Sequence, residues 1–304
     1  MYLPEQEINS HQATPNTGLV DFTTGYSIMF SISTITGERF NMKQGELDNL
    51  FKWFDTYVEP YLNTDEEGGR NIRLKIEHTD KVCEAMSILS VGESLSPGER
   101  RIASAVALLH DVGRFPQYLK WRTFRDDDSD NHARMAIEVI RKENLLGALE
   151  REEQLLIEEA VRFHNMLYTP QRVKSPTKLF INMIRDADKI DIWRVFTELL
   201  ALPPEERASA ATLGFVDLSG EVSEECIKTL AAGRVVQLKD VTVLNDFKLL
   251  QISWVYDLNF ASSRRLLLDR GHIPALAASL PVRHDIREAL EKALEWLGQV
   301  KGEG

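Results

Sequence analysis

Apolar residues recur along most of this chain with a period near 3.6. Leu47, Leu50, Phe51, Phe54 and Val58 set the pattern for a helix over 43–62. Stripes of the same period predict helices at 73–90, 98–112, 130–146, 151–167, 176–201, 221–232, 242–261 and 282–299. Pro97, Gly98, Pro116, Pro170, Pro203, Pro204, Pro274 and Pro281 fall between these stretches, where helix breakers belong. Asp65 to Gly69 reads as a loop. One segment departs from the helical period: Tyr26, Ile28, Phe30 and Ile32 alternate between Gly25 and Gly37, which predicts a strand or short hairpin. Residues 1–18 are polar, contain Pro4 and Pro15, and read as an arm. The expected architecture is all-α. A small N-terminal addition over 1–42 carries the hairpin, and a helical domain follows over 43–304, with its core at 73–200.

Composition narrows the partners. The chain of 304 residues is long enough to bury a sizeable core. Thirty-six basic against 47 acidic side chains leave a net charge of −11. Long-range repulsion then disfavours bulk nucleic acid and anionic membranes, but leaves room for a locally basic pocket and a small phosphorylated substrate. No apolar run reaches the ~18 residues that a membrane-spanning helix needs. The opening MYLPEQEINSHQ lacks the features of a signal peptide. Cys83 and Cys226 cannot build a disulfide framework, so the expected location is the cytoplasm.

The informative chemistry lies on the apolar stripes. Asp188 shares a helix face with Ile181, Ile184, Ile192 and Val195. A carboxylate in such a position is costly unless it is paired or binds a cation. His164 follows Ile157, Ala160 and Val161, and His132 sits with Met135, Ala136 and Val139. His110 follows Ala103, Val106 and Ala107, with Asp111 beside it, and His78 sits with Leu74, Val82 and Ala85. A lone inward histidine is ordinarily a hydrogen-bonded core residue. Five inward positions on successive helices, plus Asp111, form a set. Imidazole and carboxylate together suit Fe, Mn, Zn, Ni or Co. Six ligands exceed the needs of one catalytic ion, but suit two divalent transition-metal ions bridged by one carboxylate.

The spacing and surrounding text resemble the HD-domain superfamily of metal-dependent phosphohydrolases. The motif stands as His78 in EHTDKV, His110-Asp111 in LLHDVGRF and Asp188 in RDADKID. The resemblance covers 73–200. The stretch RFPQYLKWRTFRDDDSDNHARMAIEVI and the tail LPVRHDIREALEKALEWL are similar to an uncharacterised bacterial branch, with Asn131 where that branch has aspartate. It implies an HD-type helical bundle. One metal would take His78, His110, Asp111 and Asp188; a second would share Asp111 as bridge and take His132 and His164, which match the extra histidines of binuclear members. Asp186 competes with Asp188 for the last position. Phe163-His164-Asn165, without a following Gly-Tyr-Pro, departs from the cyclic-di-GMP phosphodiesterase subgroup.

Around this set lie further candidates. Arg114 holds a place that is basic in the family and suits a phosphoryl oxygen; otherwise it is a surface residue at a helix end. Asp191 reads as a partner that fixes a histidine tautomer, or as a salt-bridge residue with Lys189 or Arg194. Tyr118, Trp121, Arg122, Thr123 and Phe124 are assigned to the loop between two ligand helices, as substrate contacts or as loop packing. Asp126, Asp127 and Asp128 read as a solvated acidic turn and helix cap. Trp254, Tyr256, Asp257 and Arg264 are candidates to close the pocket, with core packing the alternative for the aromatics. Cys83 reads as an inert core thiol.

Three functions follow from the resemblance. The first is hydrolysis of a small phosphomonoester or phosphodiester, such as a nucleotide, by a hydroxide held between two ions, with Asp111 and Arg114 in the catalytic set. The second, from the same ligands, is a mixed-valence di-iron oxygenase of the superfamily. The third is a non-catalytic sensor that binds metal and nucleotide.

Overall fold

The computed structural model describes residues 40–166, 168–203 and 220–299. All regular structure among them is helical. The expected hairpin around Tyr26–Ile32 lies outside the described residues. Of the expected N-terminal addition, residues 40–42 are described, and Phe40 and Met42 are already core residues. The Phe40 ring meets Phe180 edge-on, with centroids 6.0 Å apart.

The helices run in chain order as α1 (Gln44–Val58), α2 (Glu66–Gly92), α3 (Pro97–Leu109), α4 (Arg114–Trp121), α5 (His132–Lys142), α6 (Arg151–Phe163) and α7 (Thr177–Ala201). They continue as α8 (Glu224–Ala231), α9 (Leu244–Ser253), α10 (Ala261–Arg270), α11 (His272–Ala278) and α12 (His284–Gly298). The apolar period therefore located the long helices to within a few residues at most ends. It missed α4, α10 and α11.

Local chemistry explains the boundaries. Ser96 accepts from Glu99 N while Glu99 accepts from Ser96 N, and Pro97 occupies the first turn of α3. Asn131 caps α5 by accepting from Arg134 N at 2.9 Å. Asp65 caps α2 by accepting from Gly68 N at 2.7 Å, so the segment read as a loop is the first turn of that helix. Its two glycines carry no apolar signal. Space is tight there: a Cβ on Gly68 would fall 2.6 Å from Thr64 Oγ1 and 2.8 Å from an Arg122 nitrogen, so those side chains would have to shift to admit it.

α7 is the central element. Its residues Phe180, Ile181, Met183, Ile184, Ala187, Ile190, Trp193, Phe196 and Leu199 are buried around more than one face, the signature of a helix enclosed by others. α2, α3, α6, α10 and α11 all pack on it. α2 lies between α3 and α7, which brings His78 beside both the end of α3 and the middle of α7. α1 fixes the end of α3 from the other side: Tyr57 Oη donates to Val112 O at 3.0 Å, and the Phe54 and Tyr57 rings pack edge-on against Phe115. No helix among the described residues is long and apolar enough to cross a membrane.

Candidate metal centre

Six side chains from five separate places in the sequence converge at the ends and middles of these helices. His78 and Asp188 project from within α2 and α7. His110 and His164 sit one residue past the ends of α3 and α6, and His132 opens α5. Asp111 lies in the turn between α3 and α4. Gly113 permits that turn to press against α5, because a Cβ there would collide with the backbone of His132 and Ala136. All four histidines and Asp111 are buried, whereas Asp188 keeps 22% of its side chain exposed toward a cavity.

The orientation of the four imidazoles is set by their Nδ1 atoms. His110 and His164 each meet the carbonyl three residues back, Ala107 O and Val161 O, both at 2.7 Å. A carbonyl only accepts, so each Nδ1 carries the proton and each Nε2 presents a lone pair. His132 Nδ1 meets Asp126 at 2.8 Å, and His78 Nδ1 meets Asp191 at 2.7 Å. Burial works against charge on Asp126, but His132 and Arg114 pull its pKa down to about 2. Burial likewise opposes charge on Asp191, and His78 and Arg194 hold it below the usual carboxylate range. Both carboxylates are therefore acceptors, and all four rings send Nε2 inward.

What meets inside is a set of acceptors with few donors. The Nε2 atoms of His132 and His164 stand 3.1 Å apart. His78 Nε2 and His110 Nε2 are buried without a hydrogen-bond partner. Asp111 divides its oxygens between two groups. Oδ2 lies 3.7 Å from both His78 Nε2 and His110 Nε2, and Asp188 Oδ1 is 3.1 Å and 4.0 Å from the same two nitrogens. Oδ1 lies 3.5 Å from His132 Nε2 and 4.0 Å from His164 Nε2. Two of the possible ligand groups, His78–His110–Asp188 and His110–Asp111–His164, are compact enough to hold a metal ion. Lys75 and Arg114 reach the carboxylate of Asp111, but His78 Nε2 and His110 Nε2 meet no protein donor, and such converging lone pairs and carboxylates could hold a cation. The residues fit a metal.

Protonation agrees with that reading. Burial, aided by Arg114, lowers His132 to about 4, and burial, aided by His110, lowers His164 to about 4. Burial also lowers His110. These three rings are thus neutral, ligand-ready imidazoles near pH 7. His78 differs: burial and Lys75 push its pKa down, but the carboxylates of Asp188 and Asp191 outweigh them and raise it. A cation bound at its Nε2 would take the place of that proton.

The structure places the other candidates as follows. Asp186 is not near this group; it is buried, accepts from the Asn259 and Phe260 backbone N–H groups, and so holds the start of α10. Asp191 combines both roles considered for it, holding His78 while paired with Arg194 at 2.6 Å. Asp126 is more than a solvated turn. It sits between His132, Arg114, Gln117 and Asn165, accepting from all four. The cap of α5 is Asn131 instead. Arg114 lies 3.3 Å from Asp111 Oδ1 through Nε, while Nη1 donates to Phe124 O, Gln117 and Asp126. Tyr118 and Trp121 belong to α4 and not to a loop. Tyr118 is buried and accepts from Asn71 at 2.9 Å. Arg122 grips Asp65 through two bonds of 2.6 and 2.7 Å, and Thr123 accepts from Arg125 N. Tyr118, Arg122 and Thr123 are not among the residues that line the cavity; Arg114 and Phe124 are. Burial pushes the Cys83 thiol up to about 12, as suits an inert core residue.

That cavity, of about 1100 Å³, opens from the cluster at His78, His164 and Asp188. Lys75 lines it and places Nζ 2.8 Å from Asp111 Oδ2. Sequence reading missed Lys75, although it precedes His78 by three residues and therefore shares its helix face. Trp254, Tyr256 and Asp257 line the cavity as considered, whereas Arg264 stacks on Trp296 outside it. Asp257 pairs with Arg185 and Lys189 at 2.9 and 2.8 Å.

Asp126→Asn tests the support of His132. The amide keeps the shape but no longer fixes the Nδ1–H tautomer. Loss of such a partner typically weakens metal affinity by about 10–100-fold. One ion is expected to be lost at lower chelator concentration while the other is retained, measured by competitive titration with elemental analysis.

Among the described residues, fold and site together define a helical protein with a buried histidine–aspartate cluster able to hold metal. Comparison of the chain with models of protein families, with curated proteins and with solved structures gives no match.

Proposed function

We propose that this protein is a metal-dependent phosphohydrolase of the HD type, acting on a small phosphomonoester or phosphodiester. The observation that carries the reading is Asp111: one oxygen faces His78 and His110, the other faces His132 and His164, and two cations, Lys75 and Arg114, flank it. The first ion would be held by His78, His110, Asp111 and Asp188, and the second by Asp111, His132 and His164. Bound there, two divalent ions supply Lewis acidity toward phosphoryl oxygens and lower the pKa of a water for attack on phosphorus.

The remaining work falls to side chains. Lys75 and Arg114 line the cavity beside the cluster and would bind non-bridging phosphoryl oxygens. Asp126 and Asp191 hold His132 and His78 in orientation. Gln117 keeps Asp126 in place, with further bonds to Ser129 and Asp130 O. Leu74 and Phe124 make one wall beside Lys75 apolar, which limits water around the reacting group.

The pair of cations favours a phosphoester over the oxygenase reading, which the ligand set alone also permits. The test is phosphate release by full-length protein loaded in turn with Mn, Fe, Co, Ni and Zn, across phosphomonoesters, nucleotides and cyclic nucleotides. Turnover with at least one class is expected. No release with any metal, together with oxygen uptake by the iron-loaded protein, would replace hydrolysis by oxygenation.

A further inference from the structure

The cavity is much larger than a phosphoryl group requires: about 1100 Å³, the size of a pocket for a whole small molecule. Its charge also runs against that of the chain. The net charge overall is −11, yet Lys75, Arg114, Arg185, Lys189, Arg234 and Lys239 line the cavity, against Asp188, Glu225, Asp240 and Asp257. Lys75 and Arg114 stand at Asp111 and belong to the phosphoryl end. Arg234 and Lys239 are exposed, so solvent and salt screen them. Arg185 and Lys189 differ from both pairs: they line the cavity away from Asp111, and their side chains are only 11% and 12% exposed.

Both leave α7 beside the metal cluster. Arg185 precedes Asp188 by three residues and Lys189 follows it directly, so helical geometry turns both to the same side of that carboxylate, within one turn of it. Arg185 Nη1 donates to Met166 O, two residues beyond His164, which fixes the guanidinium. Arg185 Nη2 and Lys189 Nζ both meet Asp257 Oδ2, at 2.9 and 2.8 Å. Burial works against charge on Asp257, but these two cations hold its pKa below the usual carboxylate range. One carboxylate thus serves two largely buried cations. Lys189 also reaches Arg185 O, at 3.5 Å. The donors of an ammonium and a guanidinium outnumber these acceptors. Excess positive charge, held in place at the wall of a ligand-sized cavity, is a place for an anion.

We infer that Arg185 and Lys189 form a subsite for a second anionic group of the substrate, a carboxylate or a phosphate, beside the metal cluster. Resting on the phosphohydrolase reading, this makes the substrate class a phosphoester whose leaving group itself carries an anion. The scissile phosphoryl lies at Lys75 and Arg114. Asp257 holds the two cations apart from it and shares their donors with the incoming group.

Matched probes isolate the second anion. Alkyl phosphates, ω-carboxyalkyl phosphates and α,ω-alkanediol bisphosphates of equal chain length differ only in the far group. Wild-type, metal-loaded protein is expected to show a KM about tenfold lower for one of the two doubly anionic series, the effect of one hydrogen bond to a charged group; the series with the larger gain names the anion. Lys189→Met and Arg185→Gln should each remove that gain through KM, as loss of an interaction made equally in ground and transition states does. Asp257→Asn, which removes the competing charge, should enlarge it. Thermal melts and metal content are read on the same samples. The inference is overturned if wild type shows no gain at any chain length, or if Lys189→Met and Asp257→Asn shift only the melting temperature. It is overturned equally if Lys239→Gln, at an exposed cation of the same cavity, removes as much of the gain, since a diffuse field then suffices. Titration of the metal-loaded full-length chain with the corresponding phosphonates, which hydrolysis does not cleave, separates the two readings. If no ester is turned over but phosphonate binding discriminates through Lys189, the hydrolase reading fails and the subsite stands. Turnover without discrimination leaves the hydrolase and removes the subsite.

Discussion

Asp111→Ala is expected to remove both metal ions and all phosphoester turnover, a larger loss than any single histidine variant. The reason is geometric. His132→Ala or His164→Ala takes a nitrogen from the group around Oδ1 alone, and should leave about one ion per chain. Asp111 serves both groups, Oδ2 toward His78 and His110 and Oδ1 toward His132 and His164. Its loss also leaves Lys75 and Arg114 without the carboxylate between them, so a positive field replaces a negative one where the ions bind. Burial opposes charge on Asp111, yet Lys75, His110, Arg114 and His132 hold its pKa well below the usual carboxylate range. Elemental analysis of reconstituted protein, with thermal melts to confirm folding, measures the effect. Asp111→Asn, closer in shape, separates lost charge from lost packing. Two ions and wild-type rates in Asp111→Ala would end the bridging role.

Arg114→Ala is expected to lower kcat/KM on a phosphoester by about 10²–10³ while both ions remain bound. That is the usual cost of removing a preorganised donor that stabilises developing charge. Arg114 is well preorganised: Nη1 is held by Phe124 O, Gln117 and Asp126, and Nε faces Asp111 at 3.3 Å. Arg114→Lys keeps the charge but not the planar fork, and should recover part of the rate. Because Arg114 also binds Asp126, metal content must be read in the same samples. Wild-type kcat/KM in Arg114→Ala would make it a residue that only fastens the 124–126 segment. Loss of one ion together with the rate would assign it to His132 support through Asp126.

The sequence by itself determined the helices with strong apolar periods and the six inward histidine and aspartate positions. A polar residue on a buried stripe is visible without coordinates because helical geometry fixes which residues share a face. That is why His78, His110, His132, His164 and Asp188 could be singled out, with Asp111 beside one of them. Three helices escaped. α4 has only eight residues, with Pro116 in its first turn, and depends on the packing of Phe115 and Tyr118. α10 and α11 bury only Ser263, Leu267, Ile273 and Leu276, too few for an apolar stripe, and the start of α10 is held by Asp186 from α7. Tertiary structure alone decided which group does what to which. Asp191 reaches His78 across 113 positions, and the backbone of Asn259 reaches Asp186 across 73. Gly113 sets how near the Asp111 turn comes to α5. The division of the Asp111 oxygens, the role of Asp126, the contact of Lys75 and the sharing of Asp257 by Arg185 and Lys189 all depend on distances of a few ångströms between segments far apart in the chain. Local periodicity carries no information about such distances. They are set by how α2, α3 and α9 pack around α7.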